Sequence, residues 1–255
     1  MFHIFLLVFL VYSCNGSLKL LPYGDPKILG GDDAPDGAIK YQVSLQNLGS
    51  HFCGGSVIDK NWVLTAAHCT YERASDSFKV VVGINLLSSQ GQQYVPDKVI
   101  MHQNFSRELV VNDISLIKIA QGIDFNDRVQ PIALAKAETR PGDILVVSGW
   151  GRTQNGGPIP DKLQVVNVTA ISEFECKVKY ILFKPPILQS NLCTKAPYKK
   201  GSCQGDSGGP LVNNSTLAAL VSWGISNCGV SRISPDVNTN VFFYLDWINK
   251  TVQEN

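Results

Sequence analysis

The chain reads GDSGGP over residues 205–210, and the rest of the sequence can be interpreted outward from this stretch. It presents one serine hydroxyl, that of Ser207, between an aspartate and two glycines. A neutral serine hydroxyl is a weak nucleophile, so it needs a base to accept its proton and a third group to orient that base. The chain must therefore supply a histidine and a carboxylate that activate Ser207.

His68 is the candidate base, and Asp113 is the candidate orienting carboxylate. All four histidines precede Ser207, which excludes the order Ser, Asp/Glu, His of a nucleophile-elbow hydrolase. His68 ends an apolar run and stands directly before Cys69, which can anchor it. Asp113 opens the near-alternating run 114–119, where a strand would hold it at a buried edge. The predicted catalytic order is therefore His, Asp, Ser.

Four motifs in this order resemble the chymotrypsin family of secreted serine proteases. They are Ile28-Leu29-Gly30-Gly31, Thr65-Ala66-Ala67-His68-Cys69, Asn112-Asp113-Ile114-Ser115-Leu116 and the GDSGGP stretch. The resemblance runs from Ile28 to the C-terminus and is strongest to invertebrate chymotrypsin-like enzymes of the digestive or venom type. It implies that Ser207 attacks a peptide carbonyl, that His68 takes the serine proton and that Asp113 holds His68. The backbone N–H groups of Gly205 and Ser207 would bind the oxyanion.

Local patterning favours a mostly β protein. Short alternating or β-branched runs predict strands at Tyr41–Leu45, Phe78–Val82, Ile144–Val147, Leu163–Thr169 and Leu217–Trp223. Apolar residues at helical spacing predict a C-terminal helix, namely Val241, Leu245, Ile248 and Val252. The resemblance implies an all-β fold of two six-stranded antiparallel Greek-key barrels, with His68 and Asp113 on the first and Ser207 on the second. Residues 120–141 would form the boundary between the barrels.

The N-terminal residues are predicted to be removed in two steps. Residues 1–16 are typical of a cleaved secretory signal, because their apolar stretch is too short to span a bilayer and ends in small and polar residues. Residues 17–27 would form a pro-segment, and residues 28–255 the protease domain. The resemblance implies that an activating trypsin-like protease cuts after Lys27. The new ammonium of Ile28 would then pair with Asp206 and order the Ser207 loop, so we expect a secreted, extracellular zymogen.

Six cysteines remain once Cys14 leaves with the signal, and an exported protein can join them in three disulfides. The sequence alone leaves their connectivity open. The resemblance implies the pairs Cys53–Cys69, Cys176–Cys193 and Cys203–Cys228. Zinc is the competing interpretation, but no cysteine or histidine pair has the spacing of zinc ligands. The loop 84–94, where family members can hold calcium, contains no acidic residue. We therefore expect no metal and no cofactor.

Two features of the expected substrate pocket point to different specificities. The resemblance places Gly201 at its base, where trypsin-like enzymes carry aspartate, with five further lining residues, Ser202, Ser222, Trp223, Gly224 and Asp236. A glycine base and an open mouth at Gly224 favour cleavage after aromatic or large aliphatic residues. A carboxylate at Asp236 must instead be protonated, hydrogen-bonded by Ser202 or neutralised by a substrate Lys or Arg. Trypsin-like or mixed cleavage is the alternative, unless Asp236 faces solvent on a turn. Asn238 stands where the family usually has an aromatic residue.

Charge and glycosylation signals complete the sequence-based picture. The chain carries 22 basic and 21 acidic side chains, which gives no reason to expect nucleic acid or an anionic membrane as a partner. We expect a monomer whose partners are polypeptide substrates, the activating protease and protein inhibitors. Five sequons predict surface glycans, at Asn104, Asn167, Asn213, Asn214 and Asn249. The alternative function is a non-catalytic binding protein with a protease fold; the intact set of His68, Asp113, Asp206 and Ser207 favours the enzyme.

Overall fold

The computed structural model describes residues 31–154, 156–182, 185–197, 200–224, 228 and 234–255. The predicted signal, the pro-segment and the Lys27–Ile28 bond lie outside these residues. The described part contains fifteen strands and three α-helices, besides short 3-10 helices at Ser75–Ser77 and Phe242–Tyr244. None of these helices has the length and apolar character that crossing a bilayer requires.

The strands in chain order are β1 (Asp32–Asp33), β2 (Gln42–Asn47), β3 (Ser50–Asp59), β4 (Trp62–Thr65), β5 (Lys79–Val82), β6 (Gln92–Tyr94), β7 (Lys98–Met101), β8 (Ser115–Lys118), β9 (Ala133–Leu134), β10 (Ile144–Gly149), β11 (Gln164–Ala170), β12 (Asn191–Lys195), β13 (Pro210–Asn213), β14 (Thr216–Trp223) and β15 (Asp236–Asn240). The helices are α1 (Ala67–Thr70), α2 (Glu173–Tyr180) and α3 (Leu245–Glu254). The five strands and the C-terminal helix predicted from patterning are all present, with boundaries shifted by a few residues.

The N-terminal sheet contains seven antiparallel strands in the order β6-β5-β2-β3-β4-β8-β7. Its core is built from alternating β-branched and aliphatic residues, because every second side chain of a strand points to the same face. Val43 lies opposite Val82 and Leu45 lies opposite Val80, and all four side chains are fully buried. The hydrogen-bonded path of this half-barrel stays open between β6 and β7 in the described residues.

The C-terminal sheet contains a closed ring of six strands, β11-β10-β13-β14-β15-β12. Closure comes from pairing of β12 with β11, where Lys195 lies opposite Thr169. Two short strands attach to this ring from outside: β1 pairs with β11, and β9 pairs in parallel with β14. The all-β, two-barrel fold class is therefore confirmed, although the first sheet has seven strands and is not closed.

An apolar interface fixes the two sheets against each other and against α3. Its buried side chains include Leu64 and Ile114 from the first sheet, Leu220 from the second, and Val241 and Ile248 around the C-terminal helix. Burying a side chain of this kind stabilises a fold by roughly 1.5–3 kcal/mol. Because Ile114 directly follows Asp113, this interface also fixes the position of the predicted catalytic carboxylate.

The segment that joins the two sheets has little regular structure. Residues 119–143 join β8 to β10 and contain one short strand, β9.

Four of the five sequon asparagines are exposed, whereas Asn213 is partly buried and donates its amide N–H to Asp143 Oδ2 at 3.2 Å. Glycosylation at the exposed sequons remains a prediction.

Candidate active site

The Ser207 loop is held by backbone hydrogen bonds from both sheets. The N–H of Gly54, in β3, donates to Ser207 O at 2.8 Å, and the N–H of Gly208 donates to Val221 O at 2.8 Å. Gly208 has φ +73, and a Cβ at this position would lie 2.1 Å from Thr65 Oγ1. Only glycine therefore allows the loop to approach the first sheet this closely. These contacts fix the loop against both sheets.

His68 and Asp113 form the hydrogen-bonded pair that the sequence predicts. His68 Nδ1 and Asp113 Oδ2 are 2.8 Å apart, and the His68 backbone N–H donates to Asp113 Oδ1 at 2.8 Å. An ionised carboxylate only accepts hydrogen bonds, so Nδ1 carries the hydrogen and Nε2 is free to take a proton. The His68 side chain is 28% exposed, whereas that of Asp113 is 1% exposed. The imidazole can thus contact substrate, while the Asp113 carboxylate is shielded from water.

Further contacts hold Asp113 in its buried position. Ser222 Oγ donates to Asp113 Oδ2 at 2.5 Å, and Thr239 Oγ1 donates to the backbone oxygen of Asp113 at 2.8 Å. Burial alone would raise the pKa of Asp113, but the charge of His68 and the hydrogen bonds from His68 and Ser222 lower it below its ordinary value. The carboxylate is therefore ionised at neutral pH.

The pKa of His68 moves in the opposite direction. Burial of the imidazole disfavours its protonated form, but the charge of Asp113 and the hydrogen bond with it prevail and raise the pKa above 6.5. An imidazole made more basic by a neighbouring carboxylate is a better proton acceptor. This pair therefore has the geometry and the electrostatics of a base and its orienting acid.

Ser207 opens onto a cavity that also reaches Ser222. This cavity has a volume of about 160 Å³, and both hydroxyl-bearing residues line it. The Ser207 hydroxyl makes no hydrogen bond within the described residues, as is often seen before substrate tightens a catalytic contact. Ser222 also contacts Asp113, so this cavity lies next to the residue that orients His68.

Two backbone N–H groups beside Ser207 are free to bind an anion. In the described part of the chain, the N–H groups of Gly205 and Ser207 donate to no acceptor. Gly205 has φ +102, and its carbonyl oxygen points away, accepting from His51 Nε2 at 2.9 Å. Free donors of this kind stabilise the negative charge that develops on a carbonyl oxygen.

His51 was not assigned a role from the sequence. Its Nε2 must donate to the Gly205 carbonyl, so its Nδ1 accepts from Ser44 Oγ at 2.8 Å. The ring also packs edge-on against Trp150, and burial lowers the pKa of His51 to about 4, so the ring is neutral. No local pattern marks this residue, because its partner lies 154 residues away in the chain.

Asp236 lines the same cavity and does not face solvent on a turn. The cavity wall consists of Ser202, Cys203, Gln204, Ser207, Val221, Ser222, Trp223, Gly224, Cys228 and Asp236. Ser202 Oγ donates to Asp236 Oδ2 at 3.0 Å, and burial raises the pKa of Asp236 to about 6. A Cβ at Gly201 would lie 3.5 Å from the carboxylate, and one at Gly224 would lie 3.4 Å from it. Both distances are ordinary van der Waals contacts, so the carboxylate lies directly against these two glycines.

Asn238, on β15 with Asp236, has a structural role. Its amide donates to Leu192 O at 3.0 Å and to Thr194 Oγ1 at 3.1 Å, both on β12. The side chain is buried in the sheet. The polar residue at this position therefore stabilises the pairing of β15 with β12.

Asp206 is a fully buried carboxylate enclosed by backbone. Its Oδ1 accepts from Gly151 N–H at 2.7 Å, and its Oδ2 accepts from Cys203 N–H at 2.9 Å. Burial raises its pKa to about 7, and the charge of Asp236 adds to this rise. No basic group lies within 4.0 Å of it among the described residues. Its predicted partner, Ile28, is outside the described residues.

The described residues contain three disulfides, and these join the pairs that the family resemblance implies. They are Cys53–Cys69, Cys176–Cys193 and Cys203–Cys228. The first disulfide adjoins His68, and the third connects the Ser207 loop to the far wall of the cavity. Cys53, Cys69 and His68 also lie close enough to share a metal ion. Because both sulfurs are bonded to each other, neither offers the thiolate that a metal requires.

The fold places this chain among all-β proteins built from two packed antiparallel sheets, and comparisons with known proteins identify the family. The family model described as Trypsin matches residues 28–248. Chymotrypsin-2 from Vespa crabro is 40% identical over 224 residues, which cover 88% of this chain and 99% of that protein. Trypsin II-P29 from Gallus gallus is 40% identical over 253 residues, which cover 96% and 98%.

A solved structure agrees with these relatives. Neuropsin, a serine protease expressed in the limbic system of mouse brain, matches with a TM-score of 0.82 at 31% identity, over 88% of this chain and 100% of that chain. The chain therefore belongs to the trypsin family and is a serine endopeptidase. Its substrates are polypeptides.

Proposed function

We propose that this protein is secreted as a zymogen and that it hydrolyses peptide bonds with Ser207, His68 and Asp113 after cleavage at Lys27. The observation that carries the proposal is the His68–Asp113 pair, with Nδ1 and Oδ2 2.8 Å apart, beside a serine on a rigid loop. A non-catalytic protease-fold protein would have no need to keep Asp113 ionised in a buried site, because burying a charge is costly.

The proposed reaction has two halves. Ser207 Oγ adds to the substrate carbonyl carbon while its proton passes to His68 Nε2, and the N–H groups of Gly205 and Ser207 bind the oxyanion. The carbon–nitrogen bond then breaks, and the departing amine takes the proton from His68. Water repeats both steps against the acyl-enzyme, which releases the acid and restores Ser207.

Activation would work through Asp206. A buried carboxylate whose pKa lies near 7 is only partly ionised at neutral pH, and a cation beside it would stabilise the ionised form. The ammonium of Ile28, formed when Lys27–Ile28 is cut, is the proposed cation. The Ser207 loop benefits directly, because Asp206 Oδ2 already binds the N–H of Cys203 at the start of that loop.

The proposed specificity is mixed, covering large apolar residues and also Lys and Arg. Relatives at 40% identity include both a chymotrypsin and a trypsin, so identity does not decide between these cleavage types. The open mouth at Gly224 admits a large side chain, while the Asp236 carboxylate can neutralise a basic one. Since Asp236 has a pKa of about 6, cleavage after Lys and Arg should weaken below that pH.

The test is a cleavage profile of the purified zymogen after it has been cut at Lys27. Peptides ending in Phe, Leu, Lys or Arg before the scissile bond are compared in the parent, Ser207→Ala and Asp236→Gly. We expect all hydrolysis to vanish in Ser207→Ala, and only Lys and Arg cleavage to vanish in Asp236→Gly. Absence of hydrolysis in a parent with a free Ile28 N-terminus would overturn the enzymatic proposal.

A further inference from the structure

An arginine in the loop after α1, Arg73, has no ionic partner among the described residues. The guanidinium carbon of Arg73 lies 4.2 Å from the centre of the Phe52 ring. Stacking on an aromatic face fixes the plane of the guanidinium and leaves its N–H edge free to bind a carboxylate. Arg73 is exposed, and it follows His68 by five residues.

A second arginine, Arg152, lies beside the Ser207 loop. Its backbone N–H donates to Gln204 O at 2.8 Å, which places it against the loop that carries Ser207. Its guanidinium contacts the carbonyl oxygen of Gly157 through Nη1, and the other N–H groups of the fork stay available. Arg152 is partly exposed.

Gly205 lies between the two arginine sites, because it contacts His51 on one side and Gly151 on the other. Phe52, under Arg73, directly follows His51, whose Nε2 binds the outward-pointing Gly205 carbonyl. The position of a Cβ on Gly205 lies 3.2 Å from Gly151 Cα, and Gly151 directly precedes Arg152. Phe52, Arg73 and Arg152 do not line the substrate pocket, although Gln204, which accepts from the Arg152 N–H, does.

The charges of these two arginines are not neutralised within the described residues. Neither Arg73 nor Arg152 has a carboxylate within 4.0 Å there. Arg107 and Arg128 contrast with them, because Arg107 pairs with Glu72 and Arg128 pairs with Asp36. Unpaired cations on a substrate cleft favour ligands of opposite charge.

We propose that Arg73 and Arg152 bind acidic side chains of the substrate on the C-terminal side of the scissile bond. This inference rests on the proposed function, since the catalytic Ser207 defines which side the leaving group occupies. The segment before the scissile bond enters the pocket, so the segment after it leaves past Gly205 and between the two arginines. The ligand is therefore an acidic stretch of polypeptide immediately after the cleaved bond.

The test uses quenched fluorescent peptides that share one sequence before the scissile bond and carry Glu, Gln or Lys at the two positions after it. Exposed ion pairs contribute roughly 0.2–1 kcal/mol each, so two such pairs should make the parent cleave the Glu peptide about two- to thirty-fold more efficiently than the Gln peptide. Arg73→Gln and Arg152→Gln should each reduce this preference, and the double variant should abolish it. The preference should also shrink as salt rises above 0.1 M.

Arg128→Gln is the control, because it removes a guanidinium that is already paired with Asp36 and contacts no residue of the site. It should leave the Glu preference unchanged. Equal cleavage of the Glu and Gln peptides by the parent would overturn the proposal, as would a preference that survives in the double variant.

Two further measurements separate this inference from the catalytic proposal. A peptidyl coumarin amide has no residue after the scissile bond, so its hydrolysis should be the same in the parent and the arginine variants. If the activated parent does not hydrolyse this amide, the result contradicts the proposed catalytic site and not the role of the two arginines. Fluorescence anisotropy with activated Ser207→Ala then measures binding of the same peptides, and equal affinity for the Glu and Gln peptides would overturn the arginine proposal.

Discussion

Replacing Asp236 by asparagine should stabilise the protein and remove its cleavage after Lys and Arg. The carboxylate is partly buried in the pocket wall and accepts one side-chain hydrogen bond, from Ser202. Asparagine has nearly the same size, so it should keep the packing against Gly201 and Gly224. The variant therefore isolates the charge.

The magnitude follows from the pKa of Asp236, which burial raises from 3.8 to about 6. At about 1.36 kcal/mol for each pH unit, keeping this group ionised costs the folded state up to roughly 3 kcal/mol at neutral pH. Because the folded-state pKa is raised, the folded protein binds this proton more tightly than the unfolded chain does. Its contribution therefore lowers stability as pH rises from 3.8 to about 6 and stays unfavourable above that range.

Thermal unfolding in the Ser207→Ala background, which prevents autolysis, measures this effect. Asp236→Asn should raise Tm at pH 8 by about 3–9 °C, corresponding to about 1–3 kcal/mol, and should change it little at pH 4. In the active background, kcat/KM for Lys and Arg substrates should fall at least about 30-fold, as expected when one partner of a desolvated charge pair is removed. Cleavage after Phe should change less than about three-fold. An unchanged Tm at pH 8 together with retained Lys cleavage would refute the reasoning.

Three other predictions follow from the site. Since Asp113 raises the pKa of His68 above 6.5, kcat/KM should rise with pH through that raised value, and Asp113→Asn should move this limb to lower pH in a pH–rate profile. A limb unmoved in the variant would contradict the coupling. Gly208→Ala should lower the free energy of unfolding by more than about 3 kcal/mol in urea titrations, since its Cβ would lie 2.1 Å from Thr65 Oγ1; a stable, active variant would disprove the close contact. Ser222→Ala should lower kcat about ten-fold by removing a hydrogen bond to a charged acceptor, and an unchanged kcat would show that this bond does not support Asp113.

The sequence predicts those site residues that lie in short, recognisable motifs. Ser207, His68 and Asp113 each lie in a local pattern, and the structure brings the two predicted partners within 2.8 Å of each other. The pocket role of Asp236 was one of two alternatives, because the residues before it allow only a loose alignment. Its hydrogen bond with Ser202, 34 residues away, distinguishes those alternatives.

Contacts that depend on tertiary packing left no sign in the sequence. The His51–Gly205 contact joins a strand of the first sheet to the loop before β13, and no local sequence pattern marks His51. The extra strand of the first sheet is also invisible to patterning, since β6 is three residues long and mostly polar. Strand β1 comes first in the chain yet belongs to the second sheet. Local patterning cannot predict this pairing, because its partner β11 lies more than a hundred residues away.

The most direct test of the central claim is covalent labelling of the activated protein with a fluorophosphonate, followed by intact-mass measurement and peptide mapping. This reagent reacts with a serine only when a neighbouring base activates it. We expect one adduct per chain, located on Ser207, that is lost in His68→Ala and absent before cleavage at Lys27. Labelling at another serine, or labelling of Ser207 that persists in His68→Ala, would contradict the account.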